Sequence, residues 1–410
     1  MTETEKNIKQ QNILCITLCA LISYLPLTNF VNDVCNKFVG EGFIYDSLAC
    51  YTVLLVLIIK SLAIVMKNIK KDVLLITFLF LMAWVITYTF FPDNRKYMVT
   101  SVSDVMGNPF YVLFVFSFSG YIFSRYITDF ERLEKIFAWF ALATVTCMVI
   151  SFFLTLSKSY QKQYMVFAYN ILIHITYLTI YYFEKKTPLY IVVAVIGFVT
   201  MSVAGCRGAV VSLFACIAVY GLFRKTELWK KAVLVLVLSV LAYMVYVNFR
   251  QIISWLVDIA DKYKIDSYTL KRIEAGEFLN DSGRSVIQDK VIARYNLFGL
   301  GLYSDRVLAG NYAHQFIIEI ISQFGYVFGF PILAVVFVII ARGLLANDKH
   351  LRNLVIVFLS AGLFKLFFSS SYLNQEPAFY ILLGLCINCF DYKRQLIMGE
   401  KQNVHTSENV

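Results

Sequence analysis

The chain has 410 residues, of which 59% are hydrophobic and only 16% are charged, with a formal net charge of +10. Soluble domains carry about a quarter charged residues, so this composition, with a mean hydropathy of +0.67, indicates a membrane protein. It excludes disulfide-rich secreted scaffolds, soluble dinucleotide-binding enzymes and soluble nucleic-acid binders, because no charge-bearing stretch is long enough to fold as a separate soluble domain. An outer-membrane barrel is excluded as well, since its strands are short and alternate polar with apolar residues.

Long apolar runs recur along the chain, and each is about as long as a helix needs to cross the hydrocarbon core, roughly 20 residues. The run VLLITFLFLMAWVITYTFF at 73–91 is typical. The sequence therefore predicts an all-helical, polytopic integral membrane protein with about 12 transmembrane helices. The runs lie at 13–30, 47–66, 73–91, 109–123, 136–157, 164–183, 188–205, 207–223, 232–249, 326–341, 353–370 and 377–390.

The distribution of basic residues predicts the orientation of these helices. With both termini in the cytoplasm, 20 of the 37 Lys and Arg residues lie on the cytoplasmic side, and the short outside loops hold 6. That is the asymmetry of the positive-inside rule. The net charge therefore indicates membrane topology and not affinity for nucleic acid.

The connections are uneven in length, which predicts where the functional machinery lies. Helices 1–9 occupy residues 1–249, a large periplasmic loop follows at 250–325, helices 10–12 occupy 326–390, and 391–410 form a cytoplasmic tail. A transporter made of two six-helix halves would have its long connection between helices 6 and 7, where only residues 184–187 stand, and no pair of broken helices recurs in the two halves. The machinery is therefore expected at the outer face.

The periplasmic loop is predicted to contain helices separated by turns. An amphipathic helix over 251–264 and a second helix over 267–279 precede a third, which Asp281 or Ser282 would cap and whose first turn would contain Gly283 and Arg284. A glycine-punctuated turn follows at 296–302. Its glycines do not form a dinucleotide-binding fingerprint, because no strand precedes them, and they are interpreted as plain turn residues.

Three short elements in this loop occur in a recognisable order. They are Ser-Gly-Arg at 282–284, Gly-x-Gly at 299–301, and His-Gln-x-x-Ile-Glu at 314–319 followed by Gly325; upstream, Gly-Cys-Arg-Gly-Ala at 205–209 stands at the outer start of a helix. This pattern resembles the O-antigen ligase and polymerase superfamily of bacterial membrane glycosyltransferases, over roughly residues 188–341. Gln315 is a departure, because the family often has Asn there.

The resemblance implies a helical bundle of the GT-C-like kind that transfers a glycan from an undecaprenyl-pyrophosphate donor to a sugar acceptor at the periplasmic face. Negative charge develops on the departing pyrophosphate, and arginine binds phosphate oxygens in two-pronged geometry. Arg207 and Arg284 are predicted to bind it, and His314 is predicted to take the proton of the acceptor hydroxyl. The simpler alternatives are an Arg207 that reaches the membrane interface, an Arg284 that is an ordinary loop charge, and a structural His314.

Three further residues are predicted to bind substrate. Arg250, where the ninth helix emerges, is placed beside the donor phosphates or merely marks the membrane boundary. Glu319 would lie about 140° from His314 on one helix, so the two meet only if His314 precedes the helix. Gln315, one turn from Glu319, is the better-placed neighbour.

No cofactor is expected, because the outside loops lack a D-x-D motif or a tight His/Asp/Glu cluster that would bind a metal. Since no nucleophile is nominated, a single displacement with inversion is favoured. The predicted partners are lipid-linked oligosaccharide, membrane lipids and a chain-length regulator, with no nucleic acid. The polymerase branch of the superfamily is the leading interpretation, and the ligase branch, which passes a finished chain to lipid A core, and a lipid-glycan flippase or transporter are the alternatives.

Two other polar residues lie within predicted helices. His174, near the middle of the sixth run, is either a functional group or a neutral histidine bonded to a neighbouring helix. Lys365, near the outer end of the eleventh run, is expected to reach the membrane interface.

Overall fold

The computed structural model describes residues 2–38, 45–99, 109–155, 164–204, 206–224 and 283–391, together with a few positions between 227 and 262. All secondary structure in this part of the chain is helical. The helices are α1 Glu3–Phe38, α2 Tyr45–Val65, α3 Lys71–Phe90, α4 Arg95–Val99, α5 Pro109–Ser124, α6 Phe130–Thr155, α7 Tyr164–Lys185, α8 Pro188–Val203, α9 Arg207–Phe223, α10 Arg284–Ile292, α11 Ser304–Ala309, α12 Phe316–Leu344, α13 Lys349–Phe368 and α14 Pro377–Asp391.

Six of these helices are long and apolar enough to cross a membrane, namely α1, α3, α6, α7, α12 and α13. Shorter apolar helices coincide with the predicted runs in α2, α5, α8, α9 and α14. The prediction of an all-helical membrane protein is therefore confirmed. The run at 232–249 lies outside the described residues, so the total of 12 helices stays a prediction, as do the orientation and the GT-C-like architecture.

The most enclosed helices are α7 and α13, whose most apolar windows are 72% and 78% buried, whereas the same window of α3 is only 17% buried. α1 packs against α6 and α2, and α7 packs against α6 and α8. The exposed face of α3 is apolar, with Phe78 and Leu79 more than half exposed. Such a face is stable against lipid tails, which are as apolar as the side chains themselves.

α12 is kinked, and the kink is locked to the glycine turn that precedes α11. Gly325 has φ of 68° and ψ of −178°, a conformation that side chains disfavour. Gly299 also has positive φ, and a side chain on either glycine would collide with the backbone of the other. The backbone N–H of Val327 donates to the Leu297 carbonyl at 3.0 Å. The interpretation of this turn as plain is therefore wrong, because its glycines let two backbones meet.

The start of α10 differs from the prediction. The helix begins at Arg284, and Gly283 occupies the N-cap with φ of 80°, so Gly283 is not part of the first turn. Asp281 and Ser282, which were expected to cap this helix, lie outside the described residues. Most of the predicted helix at 251–264, all of that at 267–279, and Arg250 lie outside the described part of the chain as well.

Candidate functional site

The last residue of α13 and the residues between α13 and α14, which together we call the 368–376 connection, join the elements of the site. Its sequence, Phe-Ser-Ser-Ser-Tyr-Leu-Asn-Gln-Glu, is a polar run between two apolar helices. Pro377 begins α14, where its missing N–H leaves no donor unsatisfied, and a residue before proline is disfavoured in helical conformation. The connection therefore stays non-helical, and its carbonyls and side chains are free to bind neighbouring segments.

α5 holds the far end of this connection. The hydroxyl of Ser117 donates to the Asn374 carbonyl at 3.0 Å and accepts from the backbone N–H of Glu376 at 3.0 Å. Ser117 ends a π-helical segment, Val112–Ser117, and such segments often mark functional sites. A second π segment, Ser360–Phe364, ends directly before Lys365 in α13.

Arg284 reaches the near end of the connection from α10. Its Nη1 donates to the backbone carbonyl of Phe368. Its charge also acts on the thiol of Cys206, whose pKa is raised by burial and lowered in part by Arg284. Arg284 therefore lies between the 368–376 connection and the start of α9.

Arg207 is the first residue of α9 and is half-buried. The next residue, Gly208, packs so closely that a side chain there would collide with the Tyr169 hydroxyl and approach Cβ of Phe368 at 3.1 Å. The backbone next to Arg207 therefore lies close to Phe368, whose carbonyl Arg284 binds.

His314 lies just before α12, in the left-handed region with φ of 56°. A residue other than glycine holds this conformation only where its surroundings impose it, and such residues cluster at functional sites. Its ring lies 4.0 Å from the ring of Tyr312, centroid to centroid, and its Nδ1 is buried without a hydrogen-bond partner among the described residues. Burial and the charge of Arg284 lower the pKa of His314 to about 4, against a hydrogen bond to the Ser369 backbone. At neutral pH the imidazole is uncharged.

Gln315 and Glu319 support the site from within the protein. Gln315 is the N-cap of α12, and its side-chain oxygen accepts from the N–H of Ile318 at 2.8 Å. Glu319 is buried and accepts hydrogen bonds from Ser371 and Gln323. His314 indeed precedes the helix, but Glu319 is bonded to the 368–376 connection. Neither predicted substrate-binding residue lines the cavity described next, and Arg250 lies outside the described residues.

A cavity of about 460 Å³ lies on the other side of Tyr312 and Ser369. Its lining includes apolar residues, among them Leu25, Pro109 and Val166, which we call the apolar wall, and polar residues, which we call the polar wall. Tyr312 donates from its hydroxyl to the Ser369 carbonyl at 3.0 Å, so these two residues separate the cavity from His314. The polar wall is made by Tyr97, Asn170, Arg306, Asn311, Tyr312, Lys365, Ser369, Ser370, Asn374, Gln375 and Glu376.

The prediction for Lys365 is wrong. Its side chain is 18% exposed and forms an ion pair with Glu376, with Nζ 2.6 Å from Oε1. The carboxylate of Glu376, 7% exposed, compensates the charge inside the protein, so the lysine does not need to reach the interface. Arg306 and Glu376 were missed, although the polar run SSSYLNQE between two apolar runs was a visible signal for Glu376.

His174 is bonded to a neighbouring helix, as the second of its two interpretations predicted. It is fully buried, its Nε2 lies 2.9 Å from the Ser23 hydroxyl of α1, and its Nδ1 lies 3.1 Å from the Asn170 carbonyl. Both ring nitrogens therefore have partners, and the ring joins α7 to α1.

Comparison with known proteins does not assign this arrangement to a family. No family model, no curated protein and no solved structure matches the chain.

Proposed function

We propose that this protein is a glycosyltransferase of the O-antigen polymerase type, which moves a growing glycan from undecaprenyl pyrophosphate to a lipid-linked repeat unit. The observation that carries the proposal is the meeting of Arg284 and His314 at the 368–376 connection, next to a cavity with one apolar and one polar wall. A cation and a neutral base side by side suit a reaction in which a pyrophosphate leaves and a hydroxyl loses its proton.

The proposed step is a single displacement with inversion. The oxygen of an acceptor hydroxyl attacks the anomeric carbon of the donor glycan, and a new glycosidic C–O bond forms. The bond from that carbon to the pyrophosphate oxygen breaks, and its electron pair stays on undecaprenyl pyrophosphate. His314 accepts the proton, while Arg284 and Arg207 bind the departing oxygens. This step uses only side chains, and we propose that no metal takes part.

The charge of Arg284 links donor binding to the basicity of His314. Burial and, after it, the charge of Arg284 lower the pKa of His314 to about 4. Pyrophosphate bound at Arg284 neutralises that charge and adds a negative one, so the pKa of His314 rises toward the operating pH, where a general base is most effective. His314 therefore becomes a better base only once a donor is present.

The two walls of the cavity suit the two parts of a lipid-linked saccharide. The amides and hydroxyls of the polar wall can bind sugar hydroxyl groups, and the apolar wall can pack against the isoprenoid, whose transfer into water is unfavourable. A volume of about 460 Å³ falls in the usual range of binding sites, roughly 300–1,000 Å³.

The proposal is tested with the purified full-length chain and synthetic lipid-linked repeat units. We expect the wild type to lengthen them, and His314→Ala and Arg284→Ala each to lower the rate of chain growth about 10²–10⁴-fold. Arg294→Ala is the matched control, because Arg294 is an exposed arginine just beyond the other end of α10. Chain growth that survives both substitutions contradicts the proposal.

Deletion of the gene separates the two branches of the superfamily. Loss of a polymerase leaves single repeat units on the lipid A core, whereas loss of a ligase leaves the core bare. A flippase or transporter would show no chain growth in the purified system, which contains no transmembrane gradient.

A further inference from the structure

The polar wall of the cavity contains a buried arginine without a charged partner. Arg306, on α11, is 6% exposed and lies on the cavity wall. Its Nη2 donates to the side-chain oxygen of Asn374 at 2.6 Å, and its guanidinium carbon lies 4.3 Å from the centre of the Tyr303 ring. Among the described residues it forms no ion pair, and Asn374 is its one side-chain hydrogen-bond partner. Most of its N–H donors are therefore unused.

The other charges of the cavity do not compensate Arg306. Lys365 and Glu376 neutralise one another, and the hydroxyl of Ser370 completes the bonding of that carboxylate. Asp305, the chain neighbour, turns its Oδ2 to the N–H of Ala313 at 2.9 Å. Burial raises the pKa of Asp305, although the charge of Arg306 lowers it in part, and the same charge acts on the buried Glu319. Among the described residues neither carboxyl forms an ion pair with Arg306, so its guanidinium keeps donors available at the cavity wall.

An uncompensated buried charge is unfavourable, and a carboxylate is the group whose two oxygens match the planar fork of a guanidinium. We propose that Arg306 binds a carboxylate on the saccharide that occupies the cavity, so that the repeat unit contains an acidic sugar. This inference rests on the proposed function, because it takes the cavity to hold the acceptor saccharide. It names the class of sugar that the site selects.

The other lining groups favour a sugar carboxylate over a phosphate. Asn374, Gln375, Ser369 and Tyr312 are neutral and suit sugar hydroxyls, so the wall offers one spare cation for one negative charge. A pyrophosphate carries at least two charges, and the proposed function places it with Arg284 and Arg207 beyond Tyr312. The experiment below distinguishes these two sources of negative charge.

The test uses two synthetic lipid-linked repeat units that differ only in one group, a carboxylate or a hydroxymethyl on the same sugar. For the wild type we expect the hydroxymethyl unit to have a KM about 30-fold higher or more, with a smaller change in kcat. Arg306→Gln should raise the KM of the carboxylate unit by a similar factor and should no longer distinguish the two units. Arg306→Lys, which keeps the charge without the fork, should recover part of the preference, and Arg294→Gln should behave as the wild type.

Inorganic pyrophosphate serves as the competing probe. It should inhibit the wild type and Arg306→Gln equally, and should inhibit Arg284→Lys more weakly. If inhibition is instead lost in Arg306→Gln, Arg306 binds the pyrophosphate and the inference is overturned.

The possible failures are distinguishable. The inference is overturned, while the polymerase proposal stands, if chain growth requires Arg284 but the wild type uses the two units equally, or if the natural repeat unit contains no carboxylate. If the wild type lengthens neither unit, both are overturned. Comparison of the two units on the wild type needs no substitution, so a variant that fails to fold does not obscure the result.

Discussion

Each end of the helical bundle buries an arginine, but only one of the two arginines has carboxylate partners. At the end predicted to face the cytoplasm, Arg125 is 1% exposed and binds Asp72 at 2.6 Å, Asp391 at 2.9 Å and the side chain of Asn388. At the other end, Arg306 has one neutral partner and lies on a cavity wall.

This difference distinguishes Arg125, whose charge has a structural role, from Arg306, which we propose binds a ligand. The carboxylates around Arg125 come from α3 and α14, so the network closes the bundle and leaves no capacity for another anion. Arg306 keeps unused donors next to an open volume. Burial alone therefore does not identify a functional arginine; in our proposal the distinguishing feature is a buried arginine without an ion pair beside a cavity.

The largest expected effect on stability is that of a substitution at Arg125, at the end predicted to face the cytoplasm. Arg125→Ala leaves Asp72 without its ion pair and Asp391 with Lys70 alone. It should lower the free energy of unfolding by about 3 kcal/mol, the lower limit for a broken buried pair, because both aspartates are partly exposed. Arg306→Gln should lower it by less than about 1 kcal/mol. Denaturant unfolding of both variants in detergent measures the contrast. If Arg306→Gln loses as much unfolding free energy as Arg125→Ala, Arg306 has a structural role and the two arginines do not differ.

The Lys365–Glu376 pair inside the cavity should give the next largest effect. Lys365→Met removes the charged partner of a buried carboxylate, which keeps the hydrogen bond from Ser370 and can take up a proton. The substitution should therefore cost about 2 kcal/mol of unfolding free energy, below the usual range for a broken buried pair. The double substitution with Glu376→Gln removes the remaining charge and should recover part of that loss. Denaturant unfolding of the two single variants and the double variant gives the coupling energy. If the double variant loses as much unfolding free energy as the two single variants together, Lys365 and Glu376 do not stabilise one another.

The titration of His314 tests the link to Arg284. In the wild type we expect the imidazole to protonate with a pKa of about 4. Arg284→Gln removes a positive charge that opposes protonation, so the pKa of His314 should rise, whereas Arg284→Lys should leave it low. The pH dependence of His314 modification by diethylpyrocarbonate, taken as the difference from His314→Ala, measures it. If Arg284→Gln leaves the pH midpoint of His314 modification unchanged, Arg284 does not control the pKa of His314.

The smallest expected effect concerns His174, in the middle of the bundle. Ser23→Ala removes its hydrogen bond to α1 and should cost about 0.6 kcal/mol, the average for such bonds inside membrane proteins. The rate of chain growth should not change. A large loss of activity without a loss of stability would return His174 to the functional residues.

Local patterns were sufficient for the helices but not for the contacts of the site. The break at Gly325 separates the predicted run at 326–341 from the segment that carries Glu319, as the apolar pattern indicated. The pattern left open whether His314 precedes the helix, and the structure shows that it does. The pattern predicted that Lys365 reaches the membrane interface. It could not reveal the ion pair with Glu376, because a pair formed across the 368–376 connection leaves no periodic signal in the sequence.

The sequence by itself determined that this is an all-helical protein of the membrane type, because long apolar runs can bury their backbone polar groups in lipid only as helices or closed barrels. Its motifs also marked His314, Arg284 and Arg207 as residues to inspect. The tertiary structure alone decided that Arg284 and His314 meet at the 368–376 connection, that Glu319 is bonded to that connection while Gln315 caps α12, and that Arg306 lines a cavity without an ion pair among the described residues. The physical reason is that helix formation depends on neighbours within a turn or two, whereas charge compensation and cavity formation depend on which distant turns pack together.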